Sequence, residues 1–118
     1  MSYVKVELTD ELRKHTVEII EKSVKGKIKA GLNEVTKAIE RGTAKMVILA
    51  EDISPAELAM HIPLLCKEKG VVCSYIEDKK TLGEKAGLRM STSAIAIVES
   101  SAENDIKDLG AKIEEISK

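Results

Sequence analysis

The sequence has no phenylalanine and no tryptophan, and Tyr3 and Tyr75 are its only tyrosines. An interface built on stacked aromatic platforms, the usual device for holding single-stranded nucleic acid, is therefore excluded. Cysteine is almost as scarce. Cys66 and Cys73 lie in apolar surroundings at a spacing that fits no zinc or redox motif, and we read both as reduced core residues of a cytoplasmic protein. No apolar run approaches membrane-spanning length, and the first residues carry Glu7, Asp10 and Glu11 where an export signal would be basic and then apolar. The expectation is a soluble protein that is not exported. No glycine-rich phosphate loop follows any strand-like segment, which weighs against a nucleotide-binding enzyme.

What is present fits one domain, residues 1–118, large enough to bury a core without disulfide or metal staples. The net charge of −1 conceals an uneven distribution. Between Lys22 and Lys45 seven basic residues (Lys22, Lys25, Lys27, Lys29, Lys37, Arg41, Lys45) face only Glu34 and Glu40, whereas from Glu99 onward six acids outnumber three bases. The basic stretch is compatible with a nucleic-acid footprint or with a solvated lysine surface.

Inside that stretch the segment A-G-L-N-E-V-T-K-A-I-E-R-G, residues 30–42, reads as one short helix with a glycine at each end. Leu32, Val35 and Ile39 share one face, while Asn33, Lys37 and Arg41 recur every four residues on the other with Glu34 beside them. The amino end of such a helix exposes unpaired N–H groups and partial positive charge. Asn33 donates and accepts, Glu34 accepts and Lys37 donates, a set that can read a base edge such as that of guanine. A plainer alternative has Asn33 capping the helix, Glu34 answering the helix dipole and Lys37 pairing with Glu34.

The rest of the chain alternates helix and strand. Thr9-Asp10-Glu11 starts a helix that keeps apolar spacing to Gly26, Lys27 to Ala30 is a candidate edge strand, and Met46 to Ala50 is a central strand covered on both faces. Ser54, Pro55 and Glu57 form a capping box, and Pro63 predicts a break near His61 with a further helix ending before Gly70. Val71 to Ile76 is a strand, Asp78 caps a helix from Lys79 to Ala86, and Leu88 to Ser93 is a loop whose exposed Leu88 and Met90 flank Arg89. A last strand runs from Ala94 to Val98, and a second capping box, Ser100 with Glu103, opens a terminal helix with Ile106, Leu109, Ile113 and Ile116 inward. The expected fold class is α/β, a three-layer α/β/α sandwich around a small mixed four-stranded sheet. Glu51, Asp52 and His61 are the candidates for an enzymatic alternative, but no nucleophile or metal-ligand set converges on them in sequence.

The segments G-L-N-E-V-T-K-A-I-E-R-G, L-A-E-D-I-S-P-A-E, H-I-P-L-L-C, T-L-G-E-K-A-G and S-A-I-A-I occur in the order of one known family. The chain resembles the archaeal ribosomal protein L-seven-Ae, whose wider family includes kink-turn binders of box C/D guide ribonucleoproteins and of the spliceosome. The resemblance implies a non-enzymatic RNA-binding protein without cofactor or metal, monomeric when free, that recognises kink-turns and kink-loops. These are RNA elements in which a bulge beside tandem sheared G·A pairs bends the helix sharply. Implied partners are ribosomal RNA, box C/D and H/ACA guide RNAs, RNase P RNA and other ribonucleoprotein core proteins.

The family's N-E-x-x-K motif falls on Asn33, Glu34 and Lys37, with Gly31 before it. Its bulge-contacting loop falls on Leu88, Arg89 and Met90, and its backbone contacts on Lys27, Arg41 and Lys79. Arg89 stands where archaeal members more often carry an acid, and Thr92 and Ser93 where small apolar residues are usual. A purely structural ribosomal protein of the related eukaryotic-type thirty family is the other reading.

Overall fold

Five consecutive apolar residues, Met46–Ala50, form a strand whose every side chain is buried, and the remaining elements assemble around it. The protein is described here from a computed structural model, in which residues 10–24, 26–52, 61–76, 78–99 and 103–116 are described. In chain order the elements are α1 (Asp10–Ser23), β1 (Lys27–Ala30), α2 (Leu32–Glu40), β2 (Met46–Ala50), α3 (His61–Lys69), β3 (Val72–Ile76), α4 (Lys79–Lys85), β4 (Ala94–Glu99) and α5 (Glu103–Ile116). The expected caps at Thr9, at Ser54 to Glu57 and at Ser100 lie outside the described residues.

The strands form one mixed sheet in the order β1-β4-β2-β3. β4 runs antiparallel to both β1 and β2, while β2 and β3 are parallel. Strand alternation sorts the side chains onto two faces. Ile95, Ile97, Ile48 and Ser74 lie in register on one face, where the Ser74 hydroxyl meets Thr16 of α1 at 2.7 Å. α5 packs on the same side, so closely that a Cβ on Gly110 would lie 2.7 Å from Val72 Cγ2. Ala94, Ala96, Val47 and Cys73 line the other face, where α2 covers β4 and α3 covers β3. The alanines leave room for α2, and the three-layer α/β/α expectation agrees with this arrangement.

Two buried polar contacts reinforce the helix layer. Thr16 Oγ1 donates its only hydrogen to the Leu12 carbonyl at 2.8 Å, so the Ser74 hydroxyl donates to Thr16. On the surface Lys22 Nζ meets Asp105 Oδ2 at 3.0 Å and ties α1 to α5. Cys66 is buried and Cys73 half-buried, both are free, and contact between them, then burial, pushes the Cys73 thiol well above the usual range.

Candidate nucleic-acid interface

α2 begins directly after β1, with Gly31 as the N-cap at φ 96°. Added side-chain atoms would meet nothing within 4 Å there, so glycine is required by its backbone conformation and not by crowding. No side chain caps this helix. Asn33, in the plainer alternative the cap, is instead the second helical residue, and its side chain is exposed. Glu34 and Lys37 are exposed as well, and Lys37 Nζ lies 3.8 Å from Glu34 Oε1 with both side chains about half accessible (57% and 51%). A pair that loose and wet is worth only a few tenths of a kcal/mol. Both groups are thus available to a ligand at little cost.

The loop after α4 reaches this helix end through one carbonyl. Ala94 O accepts the Gly31 N–H at 2.9 Å and also the Thr92 hydroxyl at 3.0 Å. The Thr92 N–H in turn donates to Lys79 O at 3.2 Å, and the Lys79 N–H donates to Asp52 Oδ1 at 3.0 Å. The start of α2, the end of β2, the start of α4 and the 88–93 loop are therefore joined at one pole of the molecule. Thr92, which departs from the small apolar residues of the resembled family, is buried with its hydroxyl satisfied in this junction.

α4 supplies the wall behind the loop. Asp78 caps it by accepting the Thr81 N–H at 2.6 Å, and that hydrogen bond holds the Asp78 carboxyl below its ordinary range. Gly83 faces the loop so closely that a Cβ there would lie 2.1 Å from the Met90 carbonyl oxygen. The Leu88 N–H donates to Gly83 O at 2.9 Å. Leu88 is not exposed as expected; it is half-buried against the core, leaving Met90, 75% accessible, and Arg89 as the projecting residues. Lys80, Glu84 and Ser91 join Leu88, Arg89 and Met90 around an open hollow of about 350 Å³. Sequence reading missed these three; the four-residue spacing of Lys80 and Glu84 on α4 was the available signal.

The site residues do not all gather at one place. Gly31, Asn33, Glu34, Lys37, Lys79, Leu88, Arg89 and Met90 belong to the pole just described. Lys27 begins β1 and Arg41 follows α2, so both lie toward the opposite end of the layer, about 12 Å away by helical rise. Two residues of the enzymatic alternative are otherwise engaged, Glu51 Oε1 receiving Arg13 Nη2 at 2.7 Å and Asp52 holding the Lys79 amide, while His61 is exposed at the start of α3. Among the described residues no group of three or more His, Cys, Asp or Glu side chains is placed to hold a metal ion. No helix among them is long and apolar enough to cross a membrane.

Comparison with solved structures gives a match to the Giardia lamblia 15.5kD RNA binding protein, with a TM-score of 0.84, 31% sequence identity, and coverage of 92% of each chain. The model of the ribosomal protein L7Ae/L30e/S12e/Gadd45 family matches residues 14–107. With that match spanning the four strands and the helices that carry the pole, the chain belongs to the ribosomal protein L7Ae/L30e/S12e/Gadd45 family.

Proposed function

We propose that this protein is a non-catalytic RNA-binding protein that recognises kink-turns and kink-loops, in ribosomal RNA and in box C/D, H/ACA and RNase P RNAs. It acts as a single cytoplasmic domain, monomeric until it joins its particle. The observation that carries this reading is that the start of α2, where Asn33, Glu34 and Lys37 are exposed, is tied to the 88–93 loop by the Ala94 carbonyl, which accepts both the Gly31 N–H and the Thr92 hydroxyl. A carboxylate is poorly suited to a phosphate but well suited to the N–H and amino group of an unpaired guanine edge. Asn33 and Lys37 then serve its acceptors, and the free N–H groups of α2 favour the negative charge nearby.

In this account Leu88, Arg89 and Met90 take the flipped bulge nucleotides against the hollow on α4, and Lys79, Lys27 and Arg41 hold phosphates. Base contacts specify and phosphate contacts position. The protein selects the kinked RNA because only that state presents sheared G·A edges to the helix end. The similarity to a protein described as RNA binding supports the class of ligand.

The test is a gel shift on a kink-turn RNA and on its twin with the G·A pairs converted to Watson–Crick pairs. Binding confined to the kink-turn is expected. Equal affinity for both would overturn the reading, as would turnover of a nucleotide by the purified protein.

A further inference from the structure

We propose that Asp52 is a positioning residue for RNA binding: its carboxylate fixes the start of α4, and with it the 88–93 loop, at a set distance from the base-reading end of α2. This rests on the kink-turn reading for the identity of the RNA, while the linkage itself is a property of the protein alone. Asp52 stands at the pole assigned to RNA, and it is exposed. A carboxylate there with no task would only repel a polyanion. It has one, because Oδ1 accepts the Lys79 N–H at 3.0 Å.

The two residues before Asp52 form a fixed base. Ala50 N–H donates to Ser93 O at 2.9 Å, Glu51 N–H donates to Ile76 O at 2.8 Å, and the Glu51 carboxylate receives Arg13 Nη2 at 2.7 Å. The end of β2 is thus held by the approach to β4, by β3 and by α1. Asp52 reaches from that base to α4. With seven residues α4 is too short to persist as an isolated helix, so its placement comes from what it is tied to. Asp78 caps the Thr81 N–H from within the same segment, whereas Asp52 binds the Lys79 N–H from another element.

Up to Thr92 the backbone of the loop follows α4. Leu88 N–H meets Gly83 O at 2.9 Å, the Met90 backbone lies against Gly83, and Thr92 N–H meets Lys79 O at 3.2 Å. Lys79 therefore takes the Asp52 bond on its amide and passes its position to Thr92 through its carbonyl. Thr92 in turn shares Ala94 O with Gly31, the N-cap of α2. Asp52 acts on Arg89 and Met90 through this chain of bonds and has no part in reading the G·A pairs.

The experiment measures Kd on a kink-turn RNA and on its Watson–Crick twin for wild type, Asp52→Ala and Asp52→Asn, each also in an R89A/M90A background. Asp52→Ala should weaken kink-turn binding by about twofold to thirtyfold. Asp52→Asn, whose Oδ1 still accepts the amide, should bind at least as tightly as wild type. In the R89A/M90A background the Asp52→Ala loss should vanish, because the displaced side chains are already gone. Unchanged or tighter binding by Asp52→Ala would mark an ordinary surface acid and overturn the role, and so would a loss of equal size in both backgrounds. In the free protein, amide exchange at Thr92 should quicken in Asp52→Ala beyond any change at the core amides of β2, and keep its wild-type rate in Asp52→Asn. An unchanged Thr92 rate in Asp52→Ala would overturn the linkage whatever RNA is used. Wild type that binds the two RNAs equally would sink the kink-turn reading alone, with the exchange rates still deciding the linkage.

Discussion

Substituting Gly83 by alanine tests whether the 88–93 loop is seated on α4 and whether that seat matters for RNA. The new Cβ would lie 2.1 Å from Met90 O, 3.0 Å from Met90 C and 3.1 Å from Ser91 Cα. All three are backbone atoms, so no flexible side chain can yield. Ordinary contact begins near 3.4 Å, and the loop must retreat by more than an ångström. Two effects compete in stability. Alanine in a helix interior gains about 1 kcal/mol over glycine, and overpacking costs about 1–3 kcal/mol. The net is a loss of about 0–2 kcal/mol, or a Tm decrease of up to about 8 °C for a chain of this length.

Binding should suffer more than stability. The retreat carries Arg89 and Met90 away from the α2 end, and lost base contacts are worth about 1–3 kcal/mol, roughly fivefold to 150-fold in Kd. Thermal unfolding and fluorescence anisotropy on a kink-turn RNA measure the two quantities. A stability raised by about 1 kcal/mol, seen as a higher Tm, with wild-type Kd would show that the loop is not packed on α4 as described. A lowered Tm with wild-type Kd would show that the loop is packed there but not used.

Other substitutions have separate readouts. Glu34→Ala and Lys37→Ala should each weaken kink-turn binding by about 1–3 kcal/mol and leave plain duplex binding unchanged, whereas Lys79→Ala should weaken both and lower the salt slope by about one. Thr16→Val strands the buried Ser74 donor and should cost about 1–3 kcal/mol in urea denaturation; Ser74→Ala leaves Thr16 bonded to Leu12 and should cost less. Asp78→Ala removes the α4 cap and should lower Tm at neutral pH. The Asp78 carboxyl is depressed in the folded state, so its contribution is present above the ordinary aspartate pKa and is lost as pH falls through the folded value. The Tm gap between wild type and Asp78→Ala should accordingly close on acidification, and a gap constant with pH would contradict the capping role.

The legible parts of the fold were those in which one local rule acts alone. The unbroken run Met46 to Ala50 could only be a covered strand, and Asp78 two residues after β3 could hardly be other than a cap. The short run Lys27 to Ala30, a candidate edge strand, is β1 at the margin of the sheet. What was hidden depends on partners far away in sequence. Asn33 looked like a cap because its type favours that position, but the chain turns two residues earlier, at Gly31, where the Ala94 carbonyl takes the amide. Leu88 looked exposed because it sits in a loop, and Gly83 draws that loop inward. Glu51 and Asp52 looked available to a ligand until Arg13, thirty-eight residues away, and the Lys79 amide were seen to occupy them.

Most of the candidate site was legible through the N-E-V-T-K segment and its family resemblance. The hollow edged by Lys80, Glu84 and Ser91 was not, since it arises only where α4 and the loop meet.

The most direct measurement of the central claim is a map of amide chemical-shift changes on the isotope-labelled protein as kink-turn RNA is added. The account predicts the largest changes at Gly31 to Lys37, at Lys79 and from Leu88 to Ser93, as one contiguous pole. Changes concentrated on α5 and the outer side of α1, with Gly31 to Lys37 unmoved, would contradict it.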